Sequence, residues 1–200
     1  VAVRRQRQMC IRDRLKNKKI LDVACGGGLL AEALFSEGAK VSGVDISDVA
    51  IHTAKNHAKK KNIDIKYILG EAENLLPENS EEFDVVTCLE AIEHVPDPNQ
   101  LVKTCSDLCK KNGDIFFSTI NRNPKSFLFA IVGAEYILNL LPKGTHEYQK
   151  FIKPSELIFM MENNGLKIQE LTGMSYNPIT KNYWLGKNVD VNYLIHAKKI

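Results

Sequence analysis

The sequence lacks the features that define several protein classes. Its five cysteines (Cys10, Cys25, Cys88, Cys105 and Cys109) form no CxxC pair and no zinc-ligand ladder, and an odd number argues against a secreted disulfide framework. A reducing compartment is expected. No stretch approaches the ~18 consecutive apolar residues of a membrane span. The longest candidate, Phe127 to Leu141, is interrupted by Glu135 and Asn139. A large excess of one charge is missing too: the net charge is +3, from 27 Lys and Arg against 24 Asp and Glu. Eight of the basic residues fall in the first nineteen positions, opposed there by Asp13, and the remainder carries 19 basic against 23 acidic residues. That mildly acidic body argues against a nucleic-acid groove. The start has no apolar h-region, so it is not a secretory signal. It reads either as part of an organelle transit peptide or as a foreign tail, Gln6 to Arg14 resembling translated adapter sequence, and residues 1–14 are set apart from a domain expected over 15–200.

What is present is a 44% apolar, 26% charged chain of 200 residues. Folding at this size buries roughly two-thirds to three-quarters of the unfolded surface, so one core holds without disulfide or structural metal. From Lys19 onward short β-branched runs alternate with helical patterns, the signature of βαβ units and a parallel sheet. The pattern predicts strands at Ile20–Ala24, Lys40–Val44, Ile63–Leu69, Phe83–Leu89 and Asp114–Thr119. Helices are predicted at Leu29–Glu37, Asp48–Lys61 and Asn99–Lys110. Beyond the fifth strand come an apolar helix (Ser126–Leu141), a polar loop to Lys153, a helix from Pro154 to Asn164, and strands at Leu166–Thr172 and near Val191–Ala197. The count is seven strands.

Asp22-Val23-Ala24-Cys25-Gly26-Gly27-Gly28 sits where the first strand gives way to a helix, the place where open α/β sheets bind ligands. Glycine at Gly26 and Gly28 lets a ligand approach the backbone and permits positive φ. Asp45 closes the second strand 17 residues after Gly28, where an acid accepts both hydroxyls of an adenosine ribose. Glu71, after the third strand, is either a contact to the adenine edge or a solvated loop acid. The G-x-G-x-x-G register of dinucleotide sites fails, because Ala24 and Leu29 occupy the outer glycine positions. The turn resembles instead the first motif of S-adenosylmethionine-dependent methyltransferases. That cofactor carries an amine, a carboxylate and a sulfonium but no phosphate, and an acid at Asp22 suits it where a pyrophosphate would be repelled.

Beyond the fourth strand, Leu89-Glu90-Ala91-Ile92-Glu93-His94 places two carboxylates and an imidazole within five residues. In one helical turn Glu90 shares a face with Glu93 and His94, and such a set either binds a divalent cation of the Mg²⁺ kind or is an exposed acidic turn. His94 is also a candidate general base near neutral pH. His52 and His57 are assigned to a solvated helix and His196 to packing, while His146, in the polar loop, is a candidate substrate contact.

These motifs, together with Phe116-Phe117-Ser118-Thr119-Ile120-Asn121-Arg122-Asn123, Val132–Leu138, Pro142–His146, Phe151–Pro154 and Tyr176–Ile179, resemble the ubiquinone-biosynthesis O-methyltransferases, which methylate polyprenyl phenols and catechols. The likeness runs from about Lys19 to the end. It implies an α/β Rossmann-like methyltransferase fold with seven mostly parallel strands, the last antiparallel, and a helical lid inserted after strand five over about 124–153. It implies S-adenosylmethionine contacts at Ala24, Asp45 and Leu89 and, as in mitochondrial relatives, Mg²⁺ at Glu90, Glu93 and His94. Catalytic roles fall to His94 and Glu90, and cofactor binding to Asp22, Ala24, Gly26, Gly28, Asp45, Glu71 and Leu89. The acceptors implied are 3-demethylubiquinol and 2-polyprenyl-6-hydroxyphenol. Implied also are a peripheral position at the bacterial inner membrane, or at the mitochondrial inner membrane from the matrix, and association with other ubiquinone-biosynthesis enzymes. Two departures stand out: Ala24 replaces the usual glycine, and the family's N-terminal segment with a cofactor-contacting arginine is not found. The alternatives are a methyltransferase of another small molecule and a truncated, non-catalytic binding module.

Overall fold

In a computed structural model the described residues are 14–126, 148–177, 180 and 182–200. Glycine and capping residues punctuate the chain as the sequence indicates. β1 (Lys19–Val23), β2 (Lys40–Asp45), β3 (Lys66–Leu69) and β4 (Phe83–Leu89) alternate with α1 (Leu29–Ser36), α2 (Asp48–Lys61) and a helical turn over 72–79. α2 shows why the boundaries were readable. The Ser47 hydroxyl accepts from the Ala50 amide at 3.3 Å, Asp48 opens the helix, and Lys59 to Lys61 close it before a left-handed Asn62, all matched to the helix dipole and its terminal amides and carbonyls.

α3 (Pro98–Leu108) runs directly into β5 (Cys109–Ile120), five residues earlier than the predicted fifth strand. The chain turns within this span: Asn112 adopts φ 62°, and a Cβ on Gly113 would meet Cys109 Sγ at 2.5 Å and the Lys110 carbonyl at 2.8 Å, a close return that an unbroken strand does not make. α4 (Pro154–Asn163) follows, opened by Pro154 and a 3.0 Å bond from the Lys153 amide to the Glu156 carboxylate, and closed by Gly165 at φ 73°. β6 (Leu166–Asn177), β7 (Asn182–Gly186) and β8 (Asn192–Lys199) complete the described strands. The count is eight rather than seven. β7 went unread because every one of its residues is exposed, leaving no period-two burial pattern to detect. The predicted helical lid, the apolar helix, Pro142–His146 and His146 itself fall largely on 127–147, outside the described residues. The flanks contribute one helical turn at Pro124–Ser126 and a 3-10 turn at Tyr148–Lys150.

The chain divides into two compact units. The first holds the residues up to Cys88 with Thr104–Ile115 and Lys199; the second holds Leu89–Lys103, Phe116–Lys198 and Ile200. In the first unit the strand order is β3-β2-β1-β4-β5, with β1 parallel to both β2 and β4 and β2 parallel to β3. This register sets Asp22 opposite Gly43 on one side and Thr87 on the other. In the second unit the order is β5-β8-β6-β7, and β6 and β7 are antiparallel. The first unit's core gathers Ile20, Ala31, Val41, Ile51, Ala54 and Tyr67. Fully enclosed side chains of the second include Ile92, Phe117, Leu157, Tyr193 and Ile195.

Tyr67 fits because two glycines leave room for it. A Cβ on Gly43 would lie 2.8 Å from Cys25 Sγ and 3.0 Å from Tyr67 Cδ1. Gly43→Ala is therefore expected to lower stability by about 1–3 kcal/mol through overpacking, read as a fall of several degrees in Tm; an unchanged melt would contradict this packing.

Candidate functional site

The first unit's site is a turn made of left-handed residues. Ala24, Gly26 and Gly28 adopt φ of 56°, 53° and 82°, carrying the chain from β1 to α1 in one tight loop. Ala24 is the one non-glycine among them and carries strain of roughly 1 kcal/mol. Hydrogen bonds hold the loop: the Cys25 amide donates to the Val44 carbonyl at 3.1 Å and the Gly28 amide to the Cys25 carbonyl at 2.9 Å. The Asp45 carboxylate completes the set, accepting from the Gly26 amide at 2.8 Å and from the Ser47 amide at 2.8 Å.

The two glycines have different jobs. A Cβ on Gly26 would meet nothing within 4 Å, so an open face lies above the loop there, next to Asp45. A Cβ on Gly28 would collide with the Tyr67 hydroxyl and lie 3.1 Å from Ala54 Cβ. Gly28 thus also makes room for a packed tyrosine, a second reason for glycine that its sequence position did not indicate. Tyr67 in turn donates to the Gly28 carbonyl at 3.4 Å, a long bond beneath the turn.

Apolar surface borders the carboxylate. Ile46, next in the chain, is 76% exposed, and Leu69, opposite Asp45 in the β2–β3 register, is 50% exposed. Neither was singled out in the sequence; the available signal was an apolar residue directly after the strand-ending acid. Glu71 lies exposed just past β3, where the Gly70 amide donates to the Asp45 carbonyl at 2.9 Å. A carboxylate with a fixed orientation, an open glycine face and flanking apolar side chains suit a ribose diol and a purine. No basic side chain belongs to the turn itself, which fits a nucleoside without phosphate. On these grounds the residues fit S-adenosylmethionine.

Asp22 lies beneath the turn, 3% exposed, and accepts a 2.7 Å bond from the Thr87 hydroxyl. Burial pushes its carboxyl up to about 6; the Thr87 bond opposes that shift and the charge of Asp45 adds to it. Burial, with the nearby charges of Asp22 and Asp45, likewise raises the Cys25 thiol to about 12, leaving it unreactive. Thr87 was missed, although a hydroxyl inside the apolar run Val85-Val86-Thr87-Cys88-Leu89 was a readable signal.

The second unit contains Leu89, Glu90, Glu93 and His94. Leu89 ends β4, half-buried. Glu90 is left-handed at φ 51°, and the following 3-10 turn covers Ile92–His94. The predicted single helical turn through 90–95 is therefore not formed, and its convergence of Glu90, Glu93 and His94 on one face does not arise. Glu90 receives the Ser118 hydroxyl at 2.7 Å on one oxygen and the Asn192 amide at 3.2 Å on the other. Glu93, 3% exposed, receives the Thr119 hydroxyl at 2.7 Å. The Nε2 of His94, half-exposed, stands 4.0 Å from a Glu93 oxygen. Among the described residues no three His, Cys, Asp or Glu side chains gather in a metal-holding group. As a donor set Glu90, Glu93 and His94 do not fit Mg²⁺, because each carboxylate is turned toward a different hydroxyl.

The buried Asp22 has a pH signature. Its folded value lies above the ordinary carboxylate range, so the fold favours the protonated form and stability falls as pH rises from about 4 through about 6. The loss is on the order of 3 kcal/mol, at roughly 1.4 kcal/mol per pH unit. Asp22→Asn keeps an acceptor for Thr87 and should melt above the parent at pH 7.5, with the gap closing below pH 5. A gap independent of pH would show that Asp22 is not held in its neutral form.

Comparison with known proteins agrees with this geometry. A family model described as a methyltransferase domain matches residues 21–117. The chain is 55% identical over 190 residues to the ubiquinone biosynthesis O-methyltransferase of Saccharophagus degradans, covering 94% of this chain and 80% of that one. It is 54% identical over 186 residues to the proteins of that name from Acinetobacter baumannii strain AYE and Marinobacter nauticus, covering 92% of this chain and 78% of each of them. Among solved structures it is similar in fold to a SAM-dependent methyltransferase from Methanosarcina mazei (TM-score 0.69, 22% identity, 92% and 93% of the two chains). A second from Aquifex aeolicus has TM-score 0.66 at 13% identity, over 93% and 85%. The strand-ending acid, the left-handed turn and the sequence identity converge: the chain belongs to the ubiquinone biosynthesis O-methyltransferase family.

Proposed function

We propose that this chain transfers a methyl group from S-adenosylmethionine to a phenolic or catechol hydroxyl of a polyprenylated ubiquinone precursor, of the 3-demethylubiquinol or 2-polyprenyl-6-hydroxyphenol type. The observation that carries the reading is the Asp45 carboxylate, held by the Gly26 and Ser47 amides beside an open glycine face. The acceptor class comes from the names of relatives at 54–55% identity.

When bound, S-adenosylmethionine supplies an electrophilic sulfonium methyl. Asp45 would hold the ribose hydroxyls with charge-assisted bonds, while the turn from Ala24 to Gly28 and Glu71 would bound the rest of the nucleoside and Leu89 would add a further contact. The Asp22 carboxyl, raised by burial to about 6, would be favoured in its charged form by an ammonium or sulfonium nearby and would attract it. His94 would take the phenolic proton, leaving the acceptor oxygen able to receive the methyl. Glu90 steadies the acceptor. Holding both reactants in attack geometry supplies much of the rate. No step is assigned to a metal.

A peripheral membrane position is part of the same proposal. β7 exposes Tyr183, Trp184 and Leu185 at 67%, 52% and 66%, residue types suited to a lipid interface. No helix among the described residues is long and apolar enough to cross a membrane.

Titration with labelled S-adenosylmethionine, followed by turnover on a short-chain demethylubiquinol, tests the proposal. Saturable binding and methylated product are expected. Asp45→Ala should weaken cofactor binding roughly 10- to 100-fold, the range for losing hydrogen bonds to a charged group. Binding without turnover on any phenol would overturn the acceptor, and absence of binding would overturn the whole reading.

A further inference from the structure

The two acids of the first unit's site are held differently. Asp45 has a donor on each oxygen, the Gly26 amide on one and the Ser47 amide on the other. Asp22 has one hydrogen-bond donor among the described residues, the Thr87 hydroxyl, 2.7 Å from Oδ1. The two are partners in the parallel register of β1 with β4, which sets their side chains on the same face of the sheet. Both are buried, at 3% and 7% exposed. The Thr87 hydroxyl has a second acceptor, the Leu21 carbonyl at 3.4 Å.

A hydroxyl carries one proton and two acceptor lone pairs. With Asp22 ionised, Thr87 gives that proton to the carboxylate, its nearer acceptor. With Asp22 neutral, the carboxylic acid donates to the Thr87 oxygen and the Thr87 proton turns to Leu21, so both forms are satisfied without moving either strand. The other ionisable groups around Asp22 offer no such adjustment. Asp45, at the end of β2, opposes its charge; Cys25 in the turn and Tyr67 on β3 are kept neutral by burial. Glu32 on α1 is paired with Lys61 of α2, Asp84 at the start of β4 takes the Lys19 amide and the Lys110 ammonium, and Cys88 alternates to the opposite face of β4. The charge that Asp45 presents to Asp22 is of its own sign, which a cationic ligand reverses.

We infer that Thr87 is a positioning residue for the cofactor: it fixes the Asp22 carboxylate for the cationic amino-acid end of S-adenosylmethionine and, by switching between Asp22 and Leu21, lets that carboxyl lose its proton to solvent as the cation arrives. The inference rests on the proposed S-adenosylmethionine-dependent reading and adds to it a proton coupled to cofactor binding. Burial sets the Asp22 carboxyl at about 6, so the coupling falls where the cofactor's own ammonium and carboxylate keep their charges. A bound cation lowers that value. Binding therefore releases a proton below about pH 6, and affinity rises with pH until the carboxyl of the free protein is ionised.

The test uses the full chain, labelled S-adenosylmethionine and a thermal melt in the same buffers. The parent's Kd should be roughly tenfold weaker at pH 5 than at pH 7, and calorimetry in buffers of different ionisation enthalpy should record proton release at about pH 5.5. Thr87→Val keeps the shape without the hydroxyl. It should move the midpoint of the curve of Kd against pH upward by roughly one unit and weaken binding roughly fivefold at pH 6. Thr87→Ser returns the hydroxyl and should restore the parent's curve, and Thr87→Cys, a weak donor, takes the place of the valine variant if the melt shows that one unfolded. In an Asp22→Asn background the pH dependence should vanish and Thr87→Val should change Kd by less than about twofold. A folded valine or cysteine variant with the parent's midpoint, or a serine variant that fails to restore it, would overturn the positioning role while the methyltransferase reading stands. A parent that binds no cofactor would remove both.

Discussion

The hydrogen bond from the Gly26 amide to the Asp45 carboxylate is the constraint on which the cofactor turn depends. A loop with positive φ at Ala24, Gly26 and Gly28 turns its amides away from the β1–β2 ladder, and an amide left without an acceptor would cost about 1–3 kcal/mol. Asp45 supplies that acceptor from the end of β2, and the parallel register of β1 with β2 brings it within reach. The same carboxylate accepts from Ser47, whose hydroxyl then caps α2. One side chain therefore ties a strand end, a loop and a helix start together. Tyr67, enclosed because Gly28 and Gly43 lack side chains, backs the turn from the protein side and leaves the ligand side open.

The electrostatics of the first unit follow from this compactness. Asp22 lies beneath the turn that Asp45 clamps, and the two like charges, added to burial, leave Asp22 near its protonation midpoint close to pH 6. A cation entering such a site relieves repulsion that the fold itself created. The second unit solves a different problem. Glu90 and Glu93 take hydroxyl and amide donors from β5 and β8, which orient each carboxylate separately. The same residue types, two acids and an imidazole within five positions, serve a metal or a set of separate contacts according to backbone geometry, and among the described residues no metal-holding group forms.

Much of the architecture was legible because its causes are local. The ranges of α2 and β4 were read as they stand, and local features, end caps in one and an apolar run in the other, fix them. β7 was not, because a strand with every residue exposed has no periodicity. The early start of β5 was hidden by Asn112 and Gly113, which turn the chain within its first residues. Asp22, Ala24, Gly26, Gly28 and Asp45, read together from spacing, lie on one turn and the strand ends beside it, whereas the packing of Gly28 against Tyr67, 39 residues away, has no local signal.

By itself the order of amino acids determined the alternation of strands and helices, the position of the glycine turn and the acid that ends β2. These depend on φ preferences, end-capping and burial period within a few residues. Tertiary structure alone decided the partners: Thr87 for Asp22 across 65 residues and Asn192 for Glu90 across 102. Such pairs are set by strand register and by where a buried hydroxyl happens to point, and neither is written in the spacing of any single segment.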